Sequence, residues 1–401
     1  MITEIALDGV ALDLDTIEYQ VQIQHGRSDV TTSPQPSNAQ IIIRGPVGVG
    51  VEISETLVVK AYGFHRFTGE VSDVTITHLS SNPPIAVSTI TAIGELARVG
   101  FVEVGATGFD HQTARERVDT VLGAVGIPYL NGADPLIDLH QVTGSDIQAT
   151  DALSYLGQIA QWIGATYFDD PFGRIVFESY GERGITSFDG TWENTLGTWA
   201  ASTLEWGEFT TIFPPTVIPP GTVIFTPSWS RTRQTIINSV TVLGYKDTHE
   251  TTQTDSASIT DYGLREFRLN TDLRYSGDVI DRAGKIITAQ ANPLWSLGAV
   301  SIMVHNLDTP TRDLVLGLVS GQAVSLSRLP QPAPVEDFFG IVEGWGETYT
   351  PGEHILTLSL SDPRYSFETV TWEEVDPTLI WGDVPADLQW FQIITSTSLA
   401  A

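Results

Sequence analysis

Phe67-Thr68-Gly69-Glu70-Val71 and Phe338-Phe339-Gly340-Ile341-Val342 repeat one pattern, F-x-G-x-V, some 270 residues apart. Strand-like neighbours surround both in the same order. Upstream, Val21-Gln22-Ile23-Gln24-His25-Gly26 resembles Val240-Thr241-Val242-Leu243-Gly244, and Ile41-Ile42-Ile43-Arg44 can be set beside Ile302-Met303-Val304-His305. Downstream, Ile90-Thr91-Ala92-Ile93 corresponds to Leu358-Ser359-Leu360-Ser361. The order predicts a duplicated β unit, with an extra segment, about 246–291, inserted after the first strand of the second copy. The competing reading is two unrelated small β-domains with generic strand patterns.

The alternation supports strands with one buried face, as in Tyr19–Gln24 and Leu356–Ser361. Ala165–Phe168 and Ile175–Phe177 flank Asp169-Asp170-Pro171-Phe172-Gly173, a hairpin signal. Three segments have helical period instead. Val118, Val121, Leu122 and Val125 follow Asp110 as a plausible N-cap and end at Gly126. Leu153, Leu156, Ala160 and Ile163 follow Thr150 and end at Gly164. Val279, Ala283, Ile286 and Ile287 run from about Asp278 to a stop at Pro293. Phe213–Pro227 holds five prolines and reads as an extended arm. From about Glu368 the chain carries Trp372, Trp381 and Trp390 without a period that could close a core, so these are interface candidates.

Composition narrows the function. The 401 residues hold 20 Lys and Arg against 49 Asp and Glu, a net charge of −29, which argues against phosphate recognition. Yet only 17% of residues are charged, below the roughly 25% of an ordinary soluble domain. Lysine occurs only at 60, 246 and 285. A Lys-poor chain with 10 Trp fits one that covers much of its surface with partners. No run is long and apolar enough for a membrane span, and the acidic first residues predict no secretory signal. The absence of cysteine excludes disulfides and thiolate metal sites.

Catalytic patterns are missing: there is no HExxH, GxSxG, P-loop, or GxGxxG between a strand and a helix. Gly45–Gly50 reads as a hairpin turn, and Asp169-Asp170 as an Asx-type turn rather than an acid/base pair. His25, His65 and His78 lie in strand contexts and read as structural. Asp13-Leu14-Asp15 lacks the rest of a calcium loop. Trp192, Trp199 and Trp206 read as packing rather than a sugar platform. No cofactor and no metal are expected, and the chain is not expected to be an enzyme.

Four passages carry a family resemblance. They are Ile23–Asp29 with the Ser33-Pro34-Gln35-Pro36 turn, Phe67–Asp73, Ile237–Val242 with Ser258–Arg265, and Phe339–Trp345 running into His354–Asp362. In this order they resemble the tail-tip or baseplate hub family of long-tailed phages, related in fold to the central hub of contractile tails. The resemblance implies a mainly β chain with two tail-tube-like β-barrels, an inserted α+β domain and an extended C-terminal arm. The expected boundaries are 1–104 for the first barrel, 105–235 with 246–291 for the middle domain, and 236–245 with 292–364 for the second barrel. Residues 365–401 form the C-terminal extension. It further implies a homotrimer in the virion, assembled in the host cytoplasm, that joins a sixfold tube to a threefold tip. The implied partners are distal tail and tube proteins, a tape-measure protein, and tip or fibre proteins, with genomic DNA passing through unbound. Acids that would line such a channel are Glu70 and Asp73 in the first copy and Glu343 and Glu347 in the second, since negative charge repels phosphate. Phe67, Gly69, Val71, Phe338, Gly340 and Val342 are the structural repeat positions. Two rivals remain: a carbohydrate-binding or carbohydrate-cleaving tail protein, and a sixfold distal tail protein with a single barrel.

Overall fold

A computed structural model describes residues 2–180 apart from 31, 46–49, 82–83, 128, 131–136, 138–139 and 145–148. It also describes 183, 216–219, 222, 228–327 apart from 294, 329 and 338–362. The first unit contains β1 (Ile2–Leu7), β2 (Val10–Ala11), β3 (Glu18–Gly26), β4 (Asn38–Gly45), β5 (Thr56–Ala61), β6 (Phe64–Ser81) and β7 (Pro84–Ile93). Each strand places alternate residues inward. Val21, Ile23, Ile41, Ile43, Leu57, Val59, Phe67, Val71 and Ile90 make the buried core.

The chain then enters a middle unit of α1 (Glu95–Val99), β8 (Glu103–Val104), β9 (Gln112–Thr113), α2 (Ala114–Val125), β10 (Tyr129–Leu130), β11 (Gln141–Val142), β12 (Thr150–Asp151), α3 (Ala152–Ile163), β13 (Ala165–Asp169) and β14 (Ile175–Ser179). The N-cap of α2 is Thr113 rather than Asp110: its hydroxyl accepts from Glu116 N–H while the Glu116 carboxylate accepts from Thr113 N–H. Asp151 caps α3, which ends on left-handed Gly164. The β13–β14 hairpin forms as its turn residues predict, with Asp170 Oδ1 accepting from Phe172 and Arg174 N–H.

Two short strands follow, β15 (Thr216–Ile218) and β16 (Trp229–Ser230). Part of the proline-rich arm is therefore sheet, because β15 pairs in parallel with a later strand. The chain returns to the middle unit with β17 (Ser239–Leu243), β18 (Glu250–Thr254), α4 (Ser256–Tyr262), β19 (Glu266–Asn270) and α5 (Ser276–Gln290). Here one expected boundary fails. Residues 239–243 do not open the second copy; they are the central strand of the separate sheet β18-β17-β19. Val240 and Val242 share one core with α2, α3, α5 and the β13–β14 hairpin. Its parallel partner, β19, lies on one side of β17 and its antiparallel partner, β18, on the other, and the Val240 and Val242 face is the one that packs on α5.

The second unit closes with β20 (Ser296–Leu297), β21 (Val300–Met303), α6 (Thr309–Leu316), β22 (Ala323–Leu326), β23 (Phe338–Thr350) and β24 (Glu353–Ser361). The two units share one twelve-stranded sheet, in the order β15-β22-β23-β3-β4-β7-β6-β5-β1-β2, with β24 on the other edge of β23 and β21 beside β24. The fold is mainly β, but no closed barrel forms among the described residues, so the expectation of two barrels is replaced by a continuous open sheet. No described helix is long and apolar enough to cross a membrane.

Candidate functional site: a polar sheet face over a buried ion-pair seam

Register establishes the duplication. In β6–β7, Glu70 faces Ile93, Val71 faces Ala92, a bulge at Ser72 intervenes, then Asp73 faces Thr91 and Val74 faces Ile90. In β23–β24, Ile341 faces Ser361, Val342 faces Leu360, a bulge at Glu343 intervenes, then Gly344 faces Ser359 and Trp345 faces Leu358. The two hairpins share both register and bulge. The third strand agrees as well: Leu57 faces Gly69 and Val59 faces Phe67, as Val324 faces Gly340 and Leu326 faces Phe338. Within each F-x-G-x-V, the phenylalanine ring occupies the space a glycine side chain would need. A Cβ on Gly69 would lie 2.6 Å from Phe67 Cζ, and one on Gly340 2.7 Å from Phe338 Cε1. Phe67, Val71, Phe338 and Val342 are all buried.

The fourth strand corrects one alignment. Ile41 faces Ile90 in the first unit, and Val300 faces Leu358 in the second. Ile41–Arg44 therefore matches Val300–Met303, two residues earlier than Ile302–His305. Carried one strand further, β16 pairs with β20 as β3 pairs with β4, although Trp229 and Leu297 face the core where Gln24 and Asn38 face outward.

The seam between units is the β3–β23 pairing, Gly26 to Gly344 through Val21 to Tyr349. Glycine is required on both sides. A Cβ on Gly26, which has φ +70°, would lie 2.4 Å from Glu343 O, and one on Gly344 would lie 2.3 Å from His25 O. Such a distance is inaccessible to any side chain.

Beneath the seam lie Glu343 and Glu347, which do not line a channel. They are 1% and 2% exposed. The bulge turns Glu343 inward, where it accepts from Arg27 Nε at 2.7 Å, from Arg183 Nη1 at 2.8 Å and from the Ser361 hydroxyl. Glu347 accepts from Arg66 Nε at 2.7 Å, lies 3.0 Å from His354 Nε2, and accepts from the Tyr349 hydroxyl. Arg66 is itself the extra residue of a bulge in β6. Burial alone would push both carboxyls up. The arginines overcome it and pull each down to about 2, with Arg183 and Arg27 acting on Glu343 and Arg66 and His354 on Glu347. Burial holds His25 and His354 below the ordinary histidine range.

The opposite face of the same sheet has a different chemistry. Between the inward residues of β3, β4, β7 and β6 stand outward residues in register. One row reads Thr348, Gln22, Gln40, Thr91, Asp73; the next reads Gly346, Gln24, Asn38, Ile93, Glu70. In the second unit Thr357 and Ser301 extend the latter row. These side chains are half-buried or exposed, against fully buried neighbours on either side. Uncharged amides and hydroxyls dominate. The cations here are paired: Arg44 with Glu18 at 3.4 Å, Lys60 of β5 with Glu4 at 3.1 Å, and Arg98 3.9 Å from Glu70. Asp73 is exposed. Of the four expected channel acids, then, the structure leaves Glu70 and Asp73 accessible and commits Glu343 and Glu347 to the interior. The neutral residues Gln22, Gln24, Gln40 and Thr91 were not singled out by sequence, although their alternation with Ile and Val is visible there. Among the described residues no cluster of His, Asp or Glu could hold a metal ion. Trp372, Trp381 and Trp390, like Trp192, Trp199, Trp206 and most of the Gly45–Gly50 turn, lie outside the described residues.

No protein-family model and no curated protein sequence matches the chain. Solved structures do match. The 43 kDa tail protein of prophage MuSo2 from Shewanella oneidensis aligns over 91% of this chain and all of its own, with a TM-score of 0.59 and 10% identity. The tail protein from Neisseria meningitidis MC58 aligns over 91% of this chain and 98% of its own, with a TM-score of 0.60 and 12% identity. This chain has the fold of phage tail proteins. Prophage tail protein gp18 from Listeria monocytogenes EGD-e shares that tail-protein fold at a TM-score of 0.51 and 10% identity, over 86% of this chain and 95% of its own. At these identities the likeness rests on architecture, which is where the duplicated register also lies.

Proposed function

We propose that this chain is a structural protein of a phage tail and forms the hub of the tail tip. Three copies would close a ring, and their six sheet units would meet a sixfold tail tube. The observation that supports this most is the shared register and bulge of the two hairpins, since two equivalent units per chain convert threefold into sixfold symmetry. The outward polar face suits the bore of such a ring. Amides and hydroxyls present no uncompensated cation to passing phosphate, and Glu70 and Asp73 add repulsion. The role is binding and shape rather than catalysis. Distal tail or tube proteins, a tape-measure protein and tip or fibre proteins are the proposed neighbours in the virion. Trp372, Trp381 and Trp390 are proposed contacts for one of them.

Counting copies tests the reading. Native mass determination of the purified protein, paired with imaging of tail tips, should give three chains. Six chains, or a solitary chain at every concentration, would overturn it.

A further inference from the structure

Equivalent positions of the two units differ in what lies over them. In F-x-G-x-V the second residue is Thr68 in one copy and Phe339 in the other. Thr68 is half-buried because the tip of the β13–β14 hairpin lies on it. A Cβ on Gly173 would stand 3.3 Å from Thr68 Cγ2, and Phe172 beside it stacks on His65 at 4.7 Å. Phe339, by contrast, is 49% exposed. Ser325 faces it in β22, and Val217, 56% exposed, faces Ser325 in β15. All three point away from the core that holds Phe338, Val324 and Ile218. Two large apolar side chains therefore flank a small serine on one surface, a patch suited to a cover.

The path of the chain says what supplies that cover. The hairpin over Thr68 belongs to the segment that leaves the first unit after Ile93, the end of β7. By register, Ile93 facing Glu70 corresponds to Ser361 facing Ile341, the end of β24. The chain leaving the second unit therefore starts at the equivalent place. Phe339 is two residues from Ile341, about 7 Å along the strand from that exit. Asp362-Pro363 is a turn signal, and Tyr365 and Phe367 are the first aromatics beyond it. Two positions apart, they share one face of an extended segment. We infer that the chain beyond β24 folds back over the second unit and lays Tyr365 and Phe367 on Phe339 and Val217, as the middle unit lays its hairpin on Thr68. This cover is intramolecular and does not depend on the ring proposed above. It anchors the root of the C-terminal extension and leaves Trp372, Trp381 and Trp390 farther along for neighbouring proteins.

Amide exchange on the full chain tests it. Peptides spanning 364–372 should exchange about tenfold slower than an unstructured chain, and Val217→Ser combined with Phe339→Ser should abolish that protection. Both substituted side chains are exposed, so exchange in the β3–β23 seam should stay parental. Leu264→Ser, at an exposed apolar site on the middle unit, should leave the extension protected. Unprotected exchange in the parent, or protection that survives the double substitution, overturns the inference. The lack of native cysteine allows the reverse reading. Val217→Cys, the lone thiol, should react with a maleimide about tenfold faster once Tyr365→Ser and Phe367→Ser are added. Equal rates overturn the cover even if the double serine variant fails to fold. Val217→Cys with Phe367→Cys, mildly oxidised, should link within one chain. A link joining two chains would assign the cover to a second copy and overturn the intramolecular path.

Discussion

Glu343 and Glu347 are acids without solvent, and their environment makes them sensitive to proton concentration. Each carboxyl has its folded pKa depressed to about 2 from an ordinary 4.5. The stabilisation this represents is fully present above about 4.5 and is lost as pH falls toward 2. It amounts to roughly 3 kcal/mol apiece. His25 and His354 act in the same direction at higher pH. Burial lowers both below 6.5, so the unfolded chain takes up their protons first and stability begins to fall below that value. Chemical denaturation followed from pH 8 to 3 should show a decline starting near 6.5 and steepening below 4.5. A flat profile across that range would contradict the ion-pair seam. Substitution separates charge from packing. Glu347→Gln leaves Arg66 buried without its counter-ion and should cost about 3–5 kcal/mol, whereas replacing both members with apolar residues of similar volume should cost far less.

At the scale of elements, F-x-G-x-V is a packing device, and its two copies have different tolerance. A Cβ on Gly69 would meet not only the Phe67 ring but Ile93 O at 2.4 Å, a backbone atom held in the β6–β7 ladder. A Cβ on Gly340 meets chiefly the Phe338 ring, with Leu360 Cβ and Ser361 O at 3.3 Å. Gly69→Ala should therefore cost about 3 kcal/mol and Gly340→Ala about 1 kcal/mol, read as urea midpoints. Equal effects would mean that the ring, not the carbonyl, sets the limit. These elements show what the sequence made legible. Strand alternation, the helical stripes and the doubled pentapeptide are local patterns, and each corresponds to an observed element. The first strand of the second unit was misplaced because Val240–Leu243 carries the stronger alternation. The strand paired at that position, Trp229–Ser230, is two residues long beside a proline and has no period to read. The inward turn of Glu343 depends on a bulge, and a bulge depends on the partner strand. Glu347 was more accessible to reasoning: it shares parity with Trp345 and Tyr349, so alternation alone places it on the buried face.

For the whole molecule, net charge proves a poor guide to where charge acts. A chain at −29 was expected to spend its acids on a channel. Instead the sheet buries two of the four candidates to hold its halves together. The outward face is built from Gln22, Gln24, Asn38, Gln40, Thr91 and Thr348, with few ions of either sign. For a bore that must let a polyanion slide, neutrality can serve as well as repulsion, because friction arises where cations hold phosphates and counterions are released. Adding cations to this face should therefore matter more than removing its acids. Gln22→Lys and Thr91→Lys place ammonium groups at half-buried or exposed positions without touching the ion-pair seam, so tails should assemble normally. DNA ejection, timed after receptor triggering, should slow in the double variant and recover as salt is raised, while Glu70→Gln should change it little. Unchanged ejection at low salt with Lys at both positions would mean that this face does not meet the DNA, and the bore would have to be sought on another surface of the ring.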